Sequence, residues 1–179
     1  DIRTTNKAKP FFKKKKISVK SGVLKNEALN FYKSYFLFKS KKALPYLDAK
    51  IAISNDFYSI NKKKKWITNQ ESRKKVHIIR SKYDCILSTY KTVNKDNSKL
   101  NCRIKGLEKF SPKRFILDKN LKLKKNSYIF KTSKKIKTYI FYNKKNKKKI
   151  KLLKKAGIHL IYLTLNKNNY FDLNLVLKK

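Results

Sequence analysis

The sequence has little of several residue types, and each scarcity excludes a class of structure. Among its 179 residues there are three glycines, three prolines, two cysteines and no methionine. No Gly-x-Gly-x-x-Gly or Walker sequence occurs, so a standard nucleotide-binding loop cannot be assigned. No apolar run approaches the about 18 residues of a membrane-spanning helix, so we expect no membrane partner.

The scarce cysteines and histidines do not form a metal-binding pattern. Cys85 and Cys102 are far apart, and neither belongs to a Cys-x-x-Cys pair or has a partnering pair of histidines. We therefore predict no metal site. With no signal peptide in view, two unpaired cysteines are typical of a reducing cytoplasm. His77 and His159 both lie among apolar residues and are interpreted as structural rather than catalytic.

Acidic residues are also scarce: 10 Asp and Glu stand against 50 Lys and Arg, which gives a net charge of +40. Such an excess suggests a polyanionic partner, and a basic RNA-binding protein of ribosomal type is one interpretation. However, abundant Lys, Asn, Ile, Tyr and Phe are typical of an A+T-rich coding sequence, so the lysines can also be ordinary solvated surface. Many aromatic residues fall inside predicted strands, as at Tyr128, Phe130, Tyr139 and Phe141, which favours the second interpretation and makes nucleic acid an unfavoured partner.

Hydrophobic periodicity predicts an α/β fold with a mostly parallel sheet flanked by helices. A capping box of Thr68 and Glu71 predicts a helix from Asn69 to Arg80. The apolar segment 84–89 is predicted as a strand buried on both faces. Together with a predicted strand at 45–53, it would form a right-handed β-α-β unit. Further strands are predicted at 114–118, 127–130, 138–142 and 158–163, with a helix over 147–156 that ends at Gly157.

A polar loop after the predicted strand 84–89 has the properties of a binding site. It carries Thr92, Asp96, Leu100 and Arg103 beyond the carboxyl end of the strand, where open α/β sheets bind ligands. Arginine is scarce here, with five residues, and Arg80 and Arg103 flank this loop. Their guanidinium forks suit a phosphate or a carbonyl-bearing ring. The alternative, that either arginine pairs with a carboxylate or covers apolar surface, stays open.

One ordered series of motifs resembles a known family. The series consists of Pro45-Tyr46, Lys50, Trp66-Ile67-Thr68, Arg80, Ile86-Leu87, Thr92-Val93-x-x-Asp96 and Leu100-x-x-Arg103. In order and spacing it resembles the reductase domain of the bifunctional riboflavin-biosynthesis deaminase/reductase, which has a dihydrofolate-reductase-like fold. The resemblance is strongest over 45–118, and the weaker pattern continues to Lys179.

The resemblance implies an NADPH-dependent reduction of 5-amino-6-(5-phosphoribosylamino)uracil to its ribitylamino product. It implies NADPH contacts from Ala52, Trp66, Thr92 and Asp96, and substrate contacts from Lys64, Arg80, Leu100 and Arg103. Lys50 is the candidate for polarising the substrate or aiding proton transfer, although a buried structural salt bridge is an alternative role. The partner would be a small phosphoribosylaminopyrimidine, and a homodimer is compatible with the family.

The resemblance also implies a domain organisation. Residues 1–24 resemble the end of a deaminase domain, 25–40 a connecting helix, and 41–179 a reductase domain that is incomplete at its C-terminus. The zinc deaminase signature is absent, so we expect no deamination by this chain. Two positions depart from the family pattern, because Lys64 replaces a substrate-binding Ser and Phe57 replaces part of an Asp-Gly turn. The family's late acidic ligand and Gly-rich loop would lie beyond Lys179, which would leave the fragment alone inactive.

Overall fold

The computed structural model describes residues 7–39, 44–59 and 66–179. The chain divides into two compact units, Asp1–Leu47 and Asp48–Lys179. The first unit contains three short helices: α1 (Ala8–Lys14), α2 (Lys25–Phe31) and α3 (Lys33–Lys39). The single connecting helix predicted over 25–40 is therefore wrong in one respect, because the helix is interrupted at Tyr32.

The second unit contains a parallel sheet of four strands in the order in which they occur along the chain. These strands are β1 (Cys85–Thr89), β2 (Lys113–Leu117), β3 (Thr138–Tyr142) and β4 (Ile158–Tyr162). Each pairs with the next in parallel, so that Leu87, Phe115, Tyr139 and His159 form one row across the sheet. The prediction of a mostly parallel sheet is confirmed.

Helices of the second unit flank this sheet. They are α4 (Gln70–Ser81), α5 (Tyr90–Asp96), α6 (Tyr128–Lys131), α7 (Lys147–Lys155) and α8 (Leu173–Leu177), with a 3-10 turn at Glu108–Phe110. The predicted helix 147–156 and the strands at 114–118, 138–142 and 158–163 are confirmed to within a residue or two. Gly157 ends α7 with a φ of +83°, a left-handed conformation that glycine adopts without steric cost.

Two hydrophobic clusters result from the alternation of side chains along the strands. Ile116, Ile140 and Ile158 of the strands belong to the larger cluster, which also contains residues from the three connections between strands: Val93, Leu100, Leu121, Leu123, Ile129 and Leu153. Phe141 belongs to the smaller cluster with Leu163 and with Val176 of α8. Phe115 stacks on Tyr139 with ring centroids 4.6 Å apart, and Tyr139 stacks on His159. The aromatic residues of β2 and β3 therefore pack against other rings, as the core interpretation predicted.

Three predictions about strands are wrong. Residues 45–53 pair with no strand in the described part of the chain, so the β-α-β unit predicted there is not formed. The predicted strand 127–130 is instead the short helix α6, since the side chain of Ser127 accepts a hydrogen bond from the backbone N–H of Phe130. The strand β1 is not buried on both faces, because Leu87 is 40% exposed; among the described residues β1 is also at one edge of the sheet.

The beginning of α4 also differs from its prediction. Asn69, not Thr68, is the N-cap, and its side-chain oxygen accepts a hydrogen bond from the backbone N–H of Ser72 at 2.8 Å.

A second difference concerns the predicted loop after β1. Thr92 and Asp96 lie in the helix α5, which begins directly at the end of the strand because Thr89 caps it.

Candidate functional site

Four residues form a cluster at which α4 meets the loop after α5; we call it the Asn101 cluster, and it consists of His77, Arg80, Asn101 and Arg103. His77 and Arg80 are three positions apart on α4 and therefore lie on the same face of the helix. His77 Nδ1 and Arg80 Nη1 each lie 3.2 Å from the backbone oxygen of Asn101. Arg103 Nη1 donates to the side-chain oxygen of the same asparagine at 3.1 Å. One nearly buried asparagine thus positions three basic side chains.

The loop that carries Asn101 is anchored on both sides. Leu100 has a φ of +49°, and its side chain is buried in the larger hydrophobic cluster at 7% exposure. On the other side, the backbone N–H of Cys102 donates to Ser111 Oγ at 3.1 Å. Burial of two apolar side chains next to Asn101 therefore determines where its polar groups lie.

The electrostatics of the cluster favour an anion. In the described residues neither Arg80 nor Arg103 forms an ion pair with a carboxylate, and Arg80 Nε is buried without a hydrogen-bond partner. Burial lowers the pKa of Arg80, and the charge of Arg103 lowers it further. Burial is also the main cause that lowers the pKa of His77 below its ordinary value, followed by the charges of Arg103 and Arg80. A negatively charged group bound here would relieve this repulsion.

Of the predicted substrate residues, Arg80 and Arg103 both contact Asn101. Leu100 directly precedes Asn101 in the chain. The alternative in which either arginine pairs with a carboxylate is not seen among the described residues. Leu100 is buried in the core, so any ligand contact from it would involve its backbone. Lys64 lies outside the described residues.

Two predicted cofactor residues share one face of α5. Thr92 and Asp96 are four positions apart, and both are exposed. Thr92 lies next to the carboxyl end of β1, where its hydroxyl is 3.3 Å from that of Thr89. A hydroxyl and a carboxylate on one face of a helix can hydrogen-bond a ligand that lies along it.

The other predicted residues lie in the segment before α4. Lys50 is exposed, which does not fit the alternative of a buried salt bridge, and Ala52 is half-buried. In the described part of the chain no hydrogen bond joins Lys50 or Ala52 to the Asn101 cluster. Trp66 is 56% exposed, and the guanidinium of Arg73 lies 4.8 Å from the centre of its ring.

Sequence reasoning missed two members of the cluster. His77 is interpreted from the sequence as structural, and Asn101 is not singled out at all. The spacing of His77 and Arg80 was a usable signal, since two basic residues three positions apart share a helix face. No signal in the sequence indicates the role of Asn101, because the backbone oxygen that it contributes is a group present in every residue.

The described residues offer neither a metal-binding cluster nor a membrane-spanning helix. They contain no group of three or more His, Cys, Asp or Glu side chains that could hold a metal ion. They also contain no helix with the length and apolar character needed to span a membrane.

Comparisons with known proteins agree with this fold. Acinetobacter baumannii RibD superposes on the chain with a TM-score of 0.69 at 21% identity, covering 97% of this chain and 46% of the other. A structure from Thermotoga maritima, described as a diaminohydroxyphosphoribosylaminopyrimidine deaminase/5-amino-6-(5-phosphoribosylamino)uracil reductase, gives a TM-score of 0.63 at 25% identity. It covers 84% of this chain and 48% of the other.

Sequence comparison gives the same result at higher identity. The riboflavin biosynthesis protein RibD of Aquifex aeolicus is 32% identical over 165 residues, which are 91% of this chain and 44% of that protein. RibD of Buchnera aphidicola is 34% identical over 95 residues, 52% of this chain and 25% of that protein. The chain therefore spans less than half the length of these relatives. The family described as the RibD C-terminal domain matches residues 45–179, and this chain belongs to it.

Proposed function

We propose that this chain carries the reductase function of riboflavin biosynthesis and reduces 5-amino-6-(5-phosphoribosylamino)uracil to the ribitylamino product with NADPH. The observation that carries the proposal is the Asn101 cluster, in which Arg80 and Arg103 are held together without carboxylate partners in the described residues. The Thermotoga maritima relative is described as having this reductase activity, which supports the assignment. The family match gives no support to the RNA-binding alternative.

On the substrate side, Arg80 and Arg103 bind the oxygens of the phosphoribosylaminouracil. Guanidinium groups donate several hydrogen bonds in a fixed plane, so two of them can both hold and orient an anionic substrate. Leu100 contributes its backbone, because its side chain is committed to the core. Lys64 contributes a positive charge in place of the hydroxyl that the family pattern has there.

On the cofactor side, Ala52, Trp66, Thr92 and Asp96 bind NADPH, with Ala52 acting through its backbone. Thr92 and Asp96 are exposed on one face of α5, and Trp66 is more than half exposed, so these three side chains are accessible and chemically suited to a polar, aromatic cofactor. When bound, NADPH supplies the hydride that reduces C1 of the ribose. The protein supplies orientation and charge, and the exposed ammonium of Lys50 is the candidate for polarising the substrate or aiding proton transfer.

The proposal extends to the domain organisation, the cellular location and the oligomeric state. Residues 41–179 form the reductase domain, 1–24 the end of a deaminase domain, and 25–40 the connection between them. A cytoplasmic location and a homodimer remain predictions of the same kind.

A paired substitution tests the proposal. Arg103 and Lys105 are both exposed and lie in the same loop, so replacing either by alanine removes one positive charge from it. We expect R103A to weaken binding of the phosphoribosylaminouracil by about tenfold or more, which corresponds to about 1.4 kcal/mol, and K105A to leave it nearly unchanged. Binding is measured by isothermal titration calorimetry, which does not require that the chain be active on its own.

NADPH binding provides the second readout. The quenching of protein fluorescence by NADPH should saturate and should be the same in R103A, K105A and the unmodified chain. Salt-sensitive binding of RNA without a saturable response to NADPH would overturn the reductase assignment. So would an equal loss of substrate affinity in R103A and K105A, because the effect would then be one of general charge.

A further inference from the structure

We propose that His77 is a third member of the substrate's phosphate subsite, and that its imidazole takes up a proton from solvent when a phosphate dianion binds to Arg80 and Arg103. This inference rests on the proposed function, because it assigns the phosphoribosyl end of the substrate to the Asn101 cluster. It adds a residue and a proton-transfer step that neither the family match nor the motif series assigns.

The hydrogen bonds of His77 determine which nitrogen is available. Its Nδ1 lies 3.2 Å from the backbone oxygen of Asn101, and a carbonyl oxygen can only accept, so Nδ1 carries the hydrogen. In the neutral ring, Nε2 is therefore the unprotonated nitrogen. No described residue forms a hydrogen bond with Nε2. Protonation at this atom would create a new charged donor without breaking the bond to Asn101.

Burial and the neighbouring charges both disfavour the protonated form of His77 in the free chain. Burial, the charge of Arg103 and the charge of Arg80 all lower the pKa of His77, and only the hydrogen bond to Asn101 raises it. The charged groups that act on the ring are Arg80 of its own helix and Arg103 of the loop. The same elements and the 3-10 turn that contacts α4 also carry other charged or titratable residues, namely Arg73, Lys74, Cys102, Glu108 and Lys109. The charges of the two guanidinium groups therefore oppose a further positive charge on the ring.

A bound dianion reverses this balance. The two negative charges neutralise both guanidinium groups, which removes the main electrostatic causes of the lowered pKa, and they attract a proton to Nε2 directly. The carbonyl oxygens of the substrate's uracil ring are neutral, so they would raise the pKa of the imidazole much less than a phosphate dianion would. Proton uptake by His77 therefore distinguishes the phosphate end of the substrate from its pyrimidine end.

The histidine content of the chain makes the experiment direct. His77 and His159 are the two histidines of the sequence, so the Cε1 protons give two signals in an NMR titration. The substitutions H77Q and H159Q assign them. His159 lies on β4, where it stacks on Tyr139 with centroids 4.9 Å apart, and it serves as an internal reference.

The probes separate specific binding from screening. Ribose 5-phosphate carries the phosphate end of the substrate without its pyrimidine, and sulfate is a dianion that does not itself titrate near neutral pH. Sodium chloride at matched ionic strength reports how much of any shift is due to screening of Arg80 and Arg103. We expect both dianions to raise the pKa of His77 by about one unit or more beyond the chloride control, while the chemical shift of the His159 Cε1 proton changes much less when the anion is added.

Matched variants complete the test. The shift should be lost in R103A and retained in K105A, since the two remove the same charge from the same loop. The inference is overturned if neither dianion moves the His77 signal beyond the chloride control. It is also overturned if His159 shifts equally, or if the response survives in R103A, because anion binding would then be general to this basic surface.

These outcomes are distinguishable from failure of the proposed function. If the chain binds NADPH and phosphoribosylaminouracil but the pKa of His77 does not change, the reductase assignment stands and the proposed role of His77 is wrong. A chain that shows the shift without a saturable NADPH response keeps an anion site and loses the reductase assignment.

Discussion

Arg114 is a fully buried arginine at the start of β2 whose partners are all uncharged. Its Nε donates to Thr138 Oγ1 at 3.0 Å, and its two terminal nitrogens donate to the hydroxyl and backbone oxygen of Thr132 and to the backbone oxygen of Ile136. A longer contact of 3.5 Å reaches the backbone oxygen of Lys99, next to Leu100. Burial lowers the pKa of Arg114 to about 10, so it remains charged at neutral pH. The guanidinium thus joins β2, β3 and the loop that carries the Asn101 cluster.

At this scale we predict that R114K destabilises the protein by about 3 kcal/mol. Lysine keeps the charge but cannot reach several acceptors in a fixed plane, so it leaves buried oxygens without donors. The measurement is the free energy of unfolding in urea. The neighbouring exposed residue provides the control, because K113R should change stability by less than about 0.5 kcal/mol. Equal effects of R114K and K113R would mean that the network around Arg114 contributes little.

The helices of the second unit share a feature at the scale of the element. Each begins at a residue whose side chain accepts a hydrogen bond from a backbone N–H of its first turn: Asn69, Thr89, Ser127, Asn146 and Asp172. Because these caps use residues adjacent in sequence, helix starts are readable locally. From the sequence, Thr68 and not Asn69 is nevertheless predicted as the N-cap of α4, because a Ser or Thr followed by Glu three residues later is the pattern of a capping box.

The two candidate caps of α4 can be separated experimentally. We predict that N69A lowers the free energy of unfolding by about 1 kcal/mol, because it removes the acceptor for the backbone N–H of Ser72. T68A should lower the free energy of unfolding clearly less, because Thr68 contacts α4 through its backbone oxygen, which accepts a hydrogen bond from Arg73 and is unchanged in the variant. Urea unfolding followed by circular dichroism gives both values. If T68A lowered the free energy of unfolding more than N69A does, Thr68 would be the N-cap, as the capping box predicts.

Charge acts at the scale of the whole molecule. The net charge of +40 comes from 50 basic residues against 10 acidic ones, so self-repulsion opposes the compact state. The chain belongs to the family described as the RibD C-terminal domain, so this charge does not by itself define a function. It does imply that stability depends on ionic strength.

We therefore predict that the unfolding temperature rises by several degrees when sodium chloride increases from about 0.02 M to about 0.5 M, since the screening length falls over this range. Scanning calorimetry or thermal circular dichroism measures it. Potassium chloride at the same concentrations should act alike, because screening depends on ionic strength. An unfolding temperature that stays constant or falls would show that repulsion among the lysines does not limit stability.

Local patterns were sufficient for much of the fold. The strands β2, β3 and β4 and the helix α7 were predictable because each is a short apolar run or an amphipathic repeat bounded by its own turn residues. Residues 127–130 were mispredicted because Tyr, Ile and Phe favour strands, whereas the cap from Ser127 and the burial of Ile129 favour the helix α6. Position in the sheet was not readable, so the exposure of β1 at its edge was missed.

By itself, the sequence determined the strands β2, β3 and β4, the helix α7 and the mostly parallel sheet, and it singled out Arg80 and Arg103 as candidates, since these depend on periodicity and residue chemistry. Only the tertiary structure decided that His77 and Arg80 meet the backbone oxygen of Asn101, 24 and 21 positions away along the chain. The physical reason is that burial of Leu100 and Cys102 fixes the loop, and burial depends on the packing of the whole unit. A backbone carbonyl has no signature in sequence, so its position becomes known only when the chain is folded.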